Sequence, residues 1–173
     1  SIDKAENNGQ TPLYIACQEG HERTARMLIE RKANVDLADN EGCTPLYIAC
    51  QKGHEQTARM LIERKANVDQ AMKDGTTPLF SACYQGHDKI VRMLASYGAT
   101  VDLKVQGHTP QSAARLHGHT ELATWLGAVG ALSAKLRPYA TVASAAALAT
   151  YLRTTEGITR AELKRALRKV INN

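Results

Sequence analysis

The 26 residues from Thr11 to Asp36 (TPLYIACQEGHERTARMLIERKANVD) return from Thr44 to Asp69 with two changes, Glu19 to Lys52 and Arg23 to Gln56. A shift of 33 positions carries one copy onto the other. Looser copies start at Thr77 (TPLFSACYQGHDKIVRMLASYGATVD) and, one residue ahead of register, at Thr109 (TPQSAARLHGHTELATWLGAVGA). A unit this short cannot bury a core of its own, so neighbouring units must stack and share one. The period therefore predicts an all-α solenoid in place of a globule with a single centre.

Each unit reads as turn, helix, tight bend, helix. In the second copy Thr44 is placed to cap a helix whose first residue is Pro45, where a missing N–H costs nothing. Leu46, Ala49 and Cys50 then share one face. Gly53 stops that helix, and a second is expected from about Glu55 to Arg64, with Ala58, Met60, Leu61 and Ile62 available for packing. Helices of about ten residues are marginal alone in water and need the same pair from the next unit to lie against.

The runs Thr11-Pro12-Leu13, Thr44-Pro45-Leu46 and Thr77-Pro78-Leu79, the pairs Gly20-His21, Gly53-His54, Gly86-His87 and Gly118-His119, and the closing Asn-Val-Asp or Thr-Val-Asp together resemble the ankyrin repeat. The likeness covers about Ile2 to Ala131. It implies helix pairs joined by projecting β-hairpins, in a stack that leaves a concave face. The repeats divide at about 1–36, 37–69, 70–102 and 103–131, and a C-terminal extension occupies 132–173.

Two departures from the family pattern matter. The usual His after Thr-Pro-Leu is Tyr14, Tyr47, Phe80 and Ser112, so its side-chain hydrogen bonds cannot carry over. The Gly expected before the last Ala is kept as Gly98 and Gly130 but is Lys32 and Lys65 in the first two copies. A left-handed backbone there costs each Lys about 1 kcal/mol relative to Gly.

No run of 18 apolar residues is present, and Ser1 to Gln10 has no apolar signal segment. Cys17, Cys50 and Cys83 recur at the repeat spacing in one helical slot. Packed layers set such slots about 8 to 10 Å apart, beyond the roughly 7 Å reach of a disulfide. Reduced, packed thiols point to an intracellular, cytoplasmic setting. The pairing of Cys17 with His21, Cys50 with His54 and Cys83 with His87 looks like a metal-ligand pattern, but zinc needs four convergent ligands, and both residue types are explained by the repeat. No phosphate-binding loop, nucleophile elbow or zinc-hydrolase motif occurs, so no catalytic residue, metal or cofactor is expected.

Charge on the second helices is paired acid-first at i,i+4: Glu22 with Arg26, Glu55 with Arg59, Asp88 with Arg92. A solvated outer face accounts for these ladders. Copy-to-copy variation sits elsewhere, in the connections Leu37 to Cys43 and Gln70 to Thr76. The ankyrin resemblance implies partner contacts at the hairpin tips and at the exposed end of each first helix. Those tips are Asn7, Asn8 and Gln10, then Asn40, Glu41 and Cys43, then Lys73, Asp74 and Thr76. The helix positions are Gln18 with Glu19, Gln51 with Lys52, Tyr84 with Gln85, and Leu116 with His117. Tyr84 stands out, because an exposed aromatic beside a concavity is the residue type that dominates interfaces. The implied function is a non-catalytic scaffold for a protein partner.

Both ends break the pattern. The first copy carries an interior repeat's apolar surface at the end of the stack, so a larger assembly, upstream repeats, another protein or a second copy of the chain must cover it. From Leu132 the repeat stops, and two helices are expected as a hairpin over the last repeat. The final one starts at a capping box of Thr159 and Glu162. Residues 1–131 carry 14 basic and 15 acidic side chains, whereas the stretch from Lys135 onward holds eight Lys or Arg and two Glu. Arg160, Lys164, Arg165, Arg168 and Lys169 lie off the apolar stripe of the last helix. They permit an alternative role as an adaptor or anchor on nucleic acid or an anionic surface.

Overall fold

The computed structural model describes residues 1–136. The expected basic helix, with Arg160, Lys164, Arg165, Arg168 and Lys169, lies outside the described residues, as does the rest of the proposed helical hairpin. Eight helices are found among the described residues: α1 Pro12–Gln18, α2 Glu22–Glu30, α3 Pro45–Lys52, α4 Glu55–Glu63, α5 Pro78–Gln85, α6 Asp88–Ser96, α7 Pro110–Leu116 and α8 Thr120–Leu136. They alternate as first and second helices of four repeats. α1, α3, α5 and α7 stack successively, α2, α4 and α6 form the second row, and α8 packs on α7.

The first helix of each repeat begins where the Thr-Pro pair sets it. Thr11, Thr44, Thr77 and Thr109 accept, on their side-chain oxygens, the backbone N–H three residues on, at 3.0 to 3.2 Å. Proline follows at the first helical position in every case. These hydroxyls satisfy donors that would otherwise be stranded, and each is worth about 1 kcal/mol.

The second helices have no side-chain N-cap, because the Gly-His pair is used between layers. Nε2 of His54 donates to the carbonyl of Gln18 at 3.0 Å, and Nε2 of His87 donates to that of Gln51 at 3.1 Å. The imidazole lies over the glycine of the layer before. A Cβ on Gly20 would fall 2.7 Å from the His54 ring, and one on Gly53 would meet His87 equally closely. These glycines are thus required twice, by a positive φ and by the ring above them.

A second interlayer tie comes from the closing aspartate. Asp36 accepts the backbone N–H of Asn67 at 2.9 Å, Asp69 accepts that of Thr100 at 2.8 Å, and Asp3 accepts that of Asn34 at 3.1 Å. Lys32 and Lys65 do take left-handed backbones, with φ of 70° and 66°, where the third repeat places Gly98 at 94°. Gly130 does not repeat the turn: it lies inside α8, which runs on to Leu136 and so crosses the expected 131/132 boundary.

The connections keep hairpin hydrogen bonding but hold no strand among the described residues; their one ladder element is a bridge between Val105 and His108. In the first three tips a backbone N–H reaches four residues ahead (Glu6 to Gln10, Asp39 to Cys43, Met72 to Thr76), and each tip closes at a glycine with positive φ. That is one pairing around a three-residue loop, too short to extend into strands. The fourth tip loses a residue: Gln106 and Gly107 alone make the turn, both at positive φ. This two-residue turn is why the fourth repeat begins one position early.

The core runs through the stack as small residues in repeated slots. Leu13, Leu46 and Leu79 are fully buried, as are Cys17, Cys50 and Cys83. The end of the stack differs. Pro12, Ile15, Thr24, Met27 and Leu28 are exposed or only half-buried, whereas their copies Pro45, Ile48, Thr57, Met60 and Leu61 are all buried.

Candidate functional site

The first helices of repeats two to four and the tips of repeats three and four border a cleft of about 380 Å³. Helix α3 contributes Tyr47 and Gln51, α5 contributes Phe80, Ser81, Tyr84 and Gln85, and α7 with its C-cap contributes Ala113, Leu116 and His117. Asp74 and Thr76 of the third tip, and Val105, Gln106 and His108 of the fourth, form the opposite rim. The helix positions arise from the turn of 3.6 residues: Tyr47 and Gln51, Phe80 and Tyr84, Ala113 and His117 are i,i+4 pairs on one face.

Two apolar side chains stand out of this cleft. Tyr84 is 47% exposed and Leu116 is 68% exposed. The Tyr84 ring meets the His117 imidazole with centroids 3.8 Å apart and planes tilted by 42°. That contact holds Tyr84 in place while leaving half its surface open, so less rotamer freedom remains to be lost when a partner covers it. Below it Tyr47 is buried. Burial pushes its hydroxyl pKa up, and a hydrogen bond with Ser81 acts in the opposite direction.

Of the positions implied by the resemblance, the structure brings seven into the cleft: Gln51, Asp74, Thr76, Tyr84, Gln85, Leu116 and His117. Others lie beyond it. Lys52 and Lys73 are exposed, and Glu19 is exposed with its carboxylate accepting from the Gln18 amide at 3.0 Å. The first tips are joined into a row, with Asn40 N–H donating to the carbonyl of Asn8 and Lys73 N–H to that of Glu41, both at 3.0 Å. The Asn40 side chain is spent on the carbonyl of Asn7, also at 3.0 Å. Gln10 is half-buried, its N–H held by the Asn8 side chain at 3.0 Å.

Cys43 corrects the sequence reading. Its thiol is buried and accepts from the Tyr14 hydroxyl at 3.6 Å, so it is not a surface contact. Tyr14 has taken the position of the usual family histidine and turns its polar end to the next repeat. Burial pushes the Cys43 thiol up to about 11 and those of Cys17 and Cys83 to about 12. These thiols stay protonated at neutral pH and are poor nucleophiles.

Sequence reasoning missed Tyr47, Phe80, Ser81, Val105, Gln106, His108 and Ala113 as cleft residues. Tyr47, Phe80, Ser81 and Ala113 were within reach of the helical period, being four residues before chosen positions. The fourth tip was not, because its shortened turn moves it out of the register used to transfer positions.

Among the described residues no helix is long and apolar enough to cross a membrane, and no three His, Cys, Asp or Glu side chains cluster as a metal site would require. The histidines of the second and third repeats are instead committed to backbone carbonyls. On the outer row the expected ion pairs form at 2.8, 3.3 and 2.8 Å, and the Arg92 guanidinium also lies 4.6 Å from the Trp125 ring centroid.

A stack of capped helix pairs with Gly-His latches and tight projecting tips defines a repeat protein whose cleft is built across layers. A family model described as ankyrin repeats (3 copies) matches residues 1–72 and again 65–133. The chain belongs to the ankyrin-repeat family, whose members are generally protein–protein interaction modules. No curated protein matches it.

Proposed function

We propose that this chain is a non-catalytic protein-binding module that grips its partner in the cleft of repeats two to four, with the tips as secondary contacts. The observation that carries this reading is that Tyr84 and Leu116, large apolar side chains lining one preformed concavity, are both left exposed. An anchored aromatic in a partly desolvated cleft is the usual centre of binding energy. Around it Gln51, Gln85, Gln106 and Thr76 offer amide and hydroxyl groups to fix the backbone of a bound segment. Four buried, unpaired thiols support a reducing compartment, the cytoplasm in the first instance.

The test compares the full chain with Tyr84→Ala/Leu116→Ala in quantitative affinity capture from source cells. Glu63→Ala, an exposed position on α4 outside the cleft, serves as the control. A partner held in the cleft is lost with the double variant, by about thirtyfold or more at the roughly 2 kcal/mol of a hot spot, and kept by the control. Equal recovery with all three chains would sink the reading.

A second reading rests on the segregation of charge beyond Lys135. Here the chain acts as an adaptor, with the basic extension on nucleic acid or an anionic surface. Retention on heparin that falls steeply with salt, and is abolished by truncation after Arg153, separates it from the first.

A further inference from the structure

We propose that the group this cleft selects is an arginine side chain of the partner, its guanidinium seated between the Asp74 carboxylate and the open part of the Tyr84 ring. The inference rests on the cleft being the partner-binding site and adds what the partner must bring to it.

The first observation is the charge of the lining. Among the described residues that border the cleft, Asp74 is the one acidic side chain, and no Lys or Arg stands with it. Lys52 and Lys73, each one residue from a lining position, lie outside. Nor is the carboxylate neutralised from elsewhere, since among the described residues Asp74 enters no ion pair. Its Oδ1 accepts the backbone N–H of Thr76 at 2.8 Å, which fixes the carboxylate on the third tip. The charge is felt inside the cleft: burial pushes the Tyr47 hydroxyl up, and the negative charge of Asp74 adds to that push. An exposed carboxylate by itself holds a cation weakly, so a second contact is needed for selection.

The second observation supplies it. Tyr84 is fixed by its contact with the His117 ring, centroids 3.8 Å apart, and 47% of its surface is open. The face of a tyrosine attracts a cation, and a guanidinium stacks on it while keeping its N–H groups in plane for acceptors. The chain uses this combination within itself. The Arg92 guanidinium lies 4.6 Å from the Trp125 ring centroid while its Nε donates to the Asp88 carboxylate at 2.8 Å. In the cleft, Gln51, Gln85 and Gln106 can turn amide oxygens to the donors that Asp74 leaves over. Lysine, a compact point charge, matches that planar set of acceptors less well.

The experiment selects a random peptide library displayed on phage against the full chain and, in parallel, against Tyr84→Ala/Leu116→Ala. Peptides recovered by the full chain alone are cleft ligands, and arginine is expected to be enriched at one position among them. In the strongest such peptide that arginine is replaced by citrulline, which keeps the shape and loses the charge. Binding to the full chain should weaken by about tenfold or more. Binding to Asp74→Asn should change by no more than about twofold, because the charge that arginine meets is already gone. The variant keeps the turn, since Asn8 of the first tip holds the Gln10 N–H at 3.0 Å as Asp74 holds that of Thr76. Cleft ligands without enriched arginine, or with lysine or an acidic residue in its place, overturn the proposal and leave the cleft reading standing. So does an arginine whose replacement weakens binding equally with both chains. A library that yields no peptide sensitive to the double variant removes the cleft reading, and this proposal with it.

Discussion

The first and second repeats are nearly one polypeptide placed in two settings. With two differences in 26 residues, they form the same helices to within one residue at the end of the first, the same Thr caps and the same left-handed Lys. Local structure is therefore written within the repeat. Burial is not: Leu61 is fully enclosed and Leu28 only half so, and His54 latches onto a carbonyl while His21 faces water. What differs is the layer ahead, so the stabilising energy of a repeat resides largely in its interfaces.

The strongest test of that contrast is Leu61→Ala beside Leu28→Ala. Leu61→Ala should cost about 2 to 5 kcal/mol, as for a buried leucine, and Leu28→Ala clearly less. Urea denaturation measures both, and equal losses would break the comparison. Next in size, His54→Ala removes a half-buried interlayer hydrogen bond and should cost about 1 kcal/mol, whereas His21→Ala should leave the midpoint unchanged. The same denaturation series reads the pair.

Lys65→Gly and Lys32→Gly sharpen the comparison from the other side. The strain at φ near 70° is local, so both glycines should stabilise, by up to about 1 kcal/mol each and by equal amounts. A difference between the two would mean that stacking sets the backbone as well as the burial. The smallest effect is electrostatic. Glu55 holds Arg59 at 3.3 Å and has Lys89 of the next repeat at 3.7 Å, while among the described residues Glu22 holds Arg26 alone. Glu55→Gln should lower thermal stability slightly more than Glu22→Gln, by a few tenths of a kcal/mol for these half-exposed pairs, and the gap should close in high salt.

Much of the fold was legible because its determinants are local and repeated. Thr44 and Pro45 announce a helix start, Gly53 its end, and the period fixes which faces meet. The left-handed Lys32 and Lys65 followed from their alignment with Gly98. The cleft that forms the candidate site was legible where it obeys the period, at Tyr84, Gln51 and Leu116, and illegible where it depends on contacts between repeats. Nothing in the residues around Cys43 tells that Tyr14, 29 positions away, will draw its thiol inward. The fourth tip was hidden for a geometric reason, since losing one residue converts a three-residue loop into a two-residue turn and shifts His108 and Gln106 onto the cleft rim.

The latches and closing aspartates described above join residues 31 to 36 positions apart. Every such bond closes a loop of one repeat, so folding needs no distant encounter and can start at any layer and spread like a zipper. The same economy of reach makes the stack open from its ends, one interface at a time. A partner seated in the cleft touches three layers at once, and it must part from two of these interfaces before either can fray. Under the proposed cleft binding, repeats two to four would be welded into a single mechanical unit, and slower amide exchange across α3, α5 and α7 in the complex would be its signature.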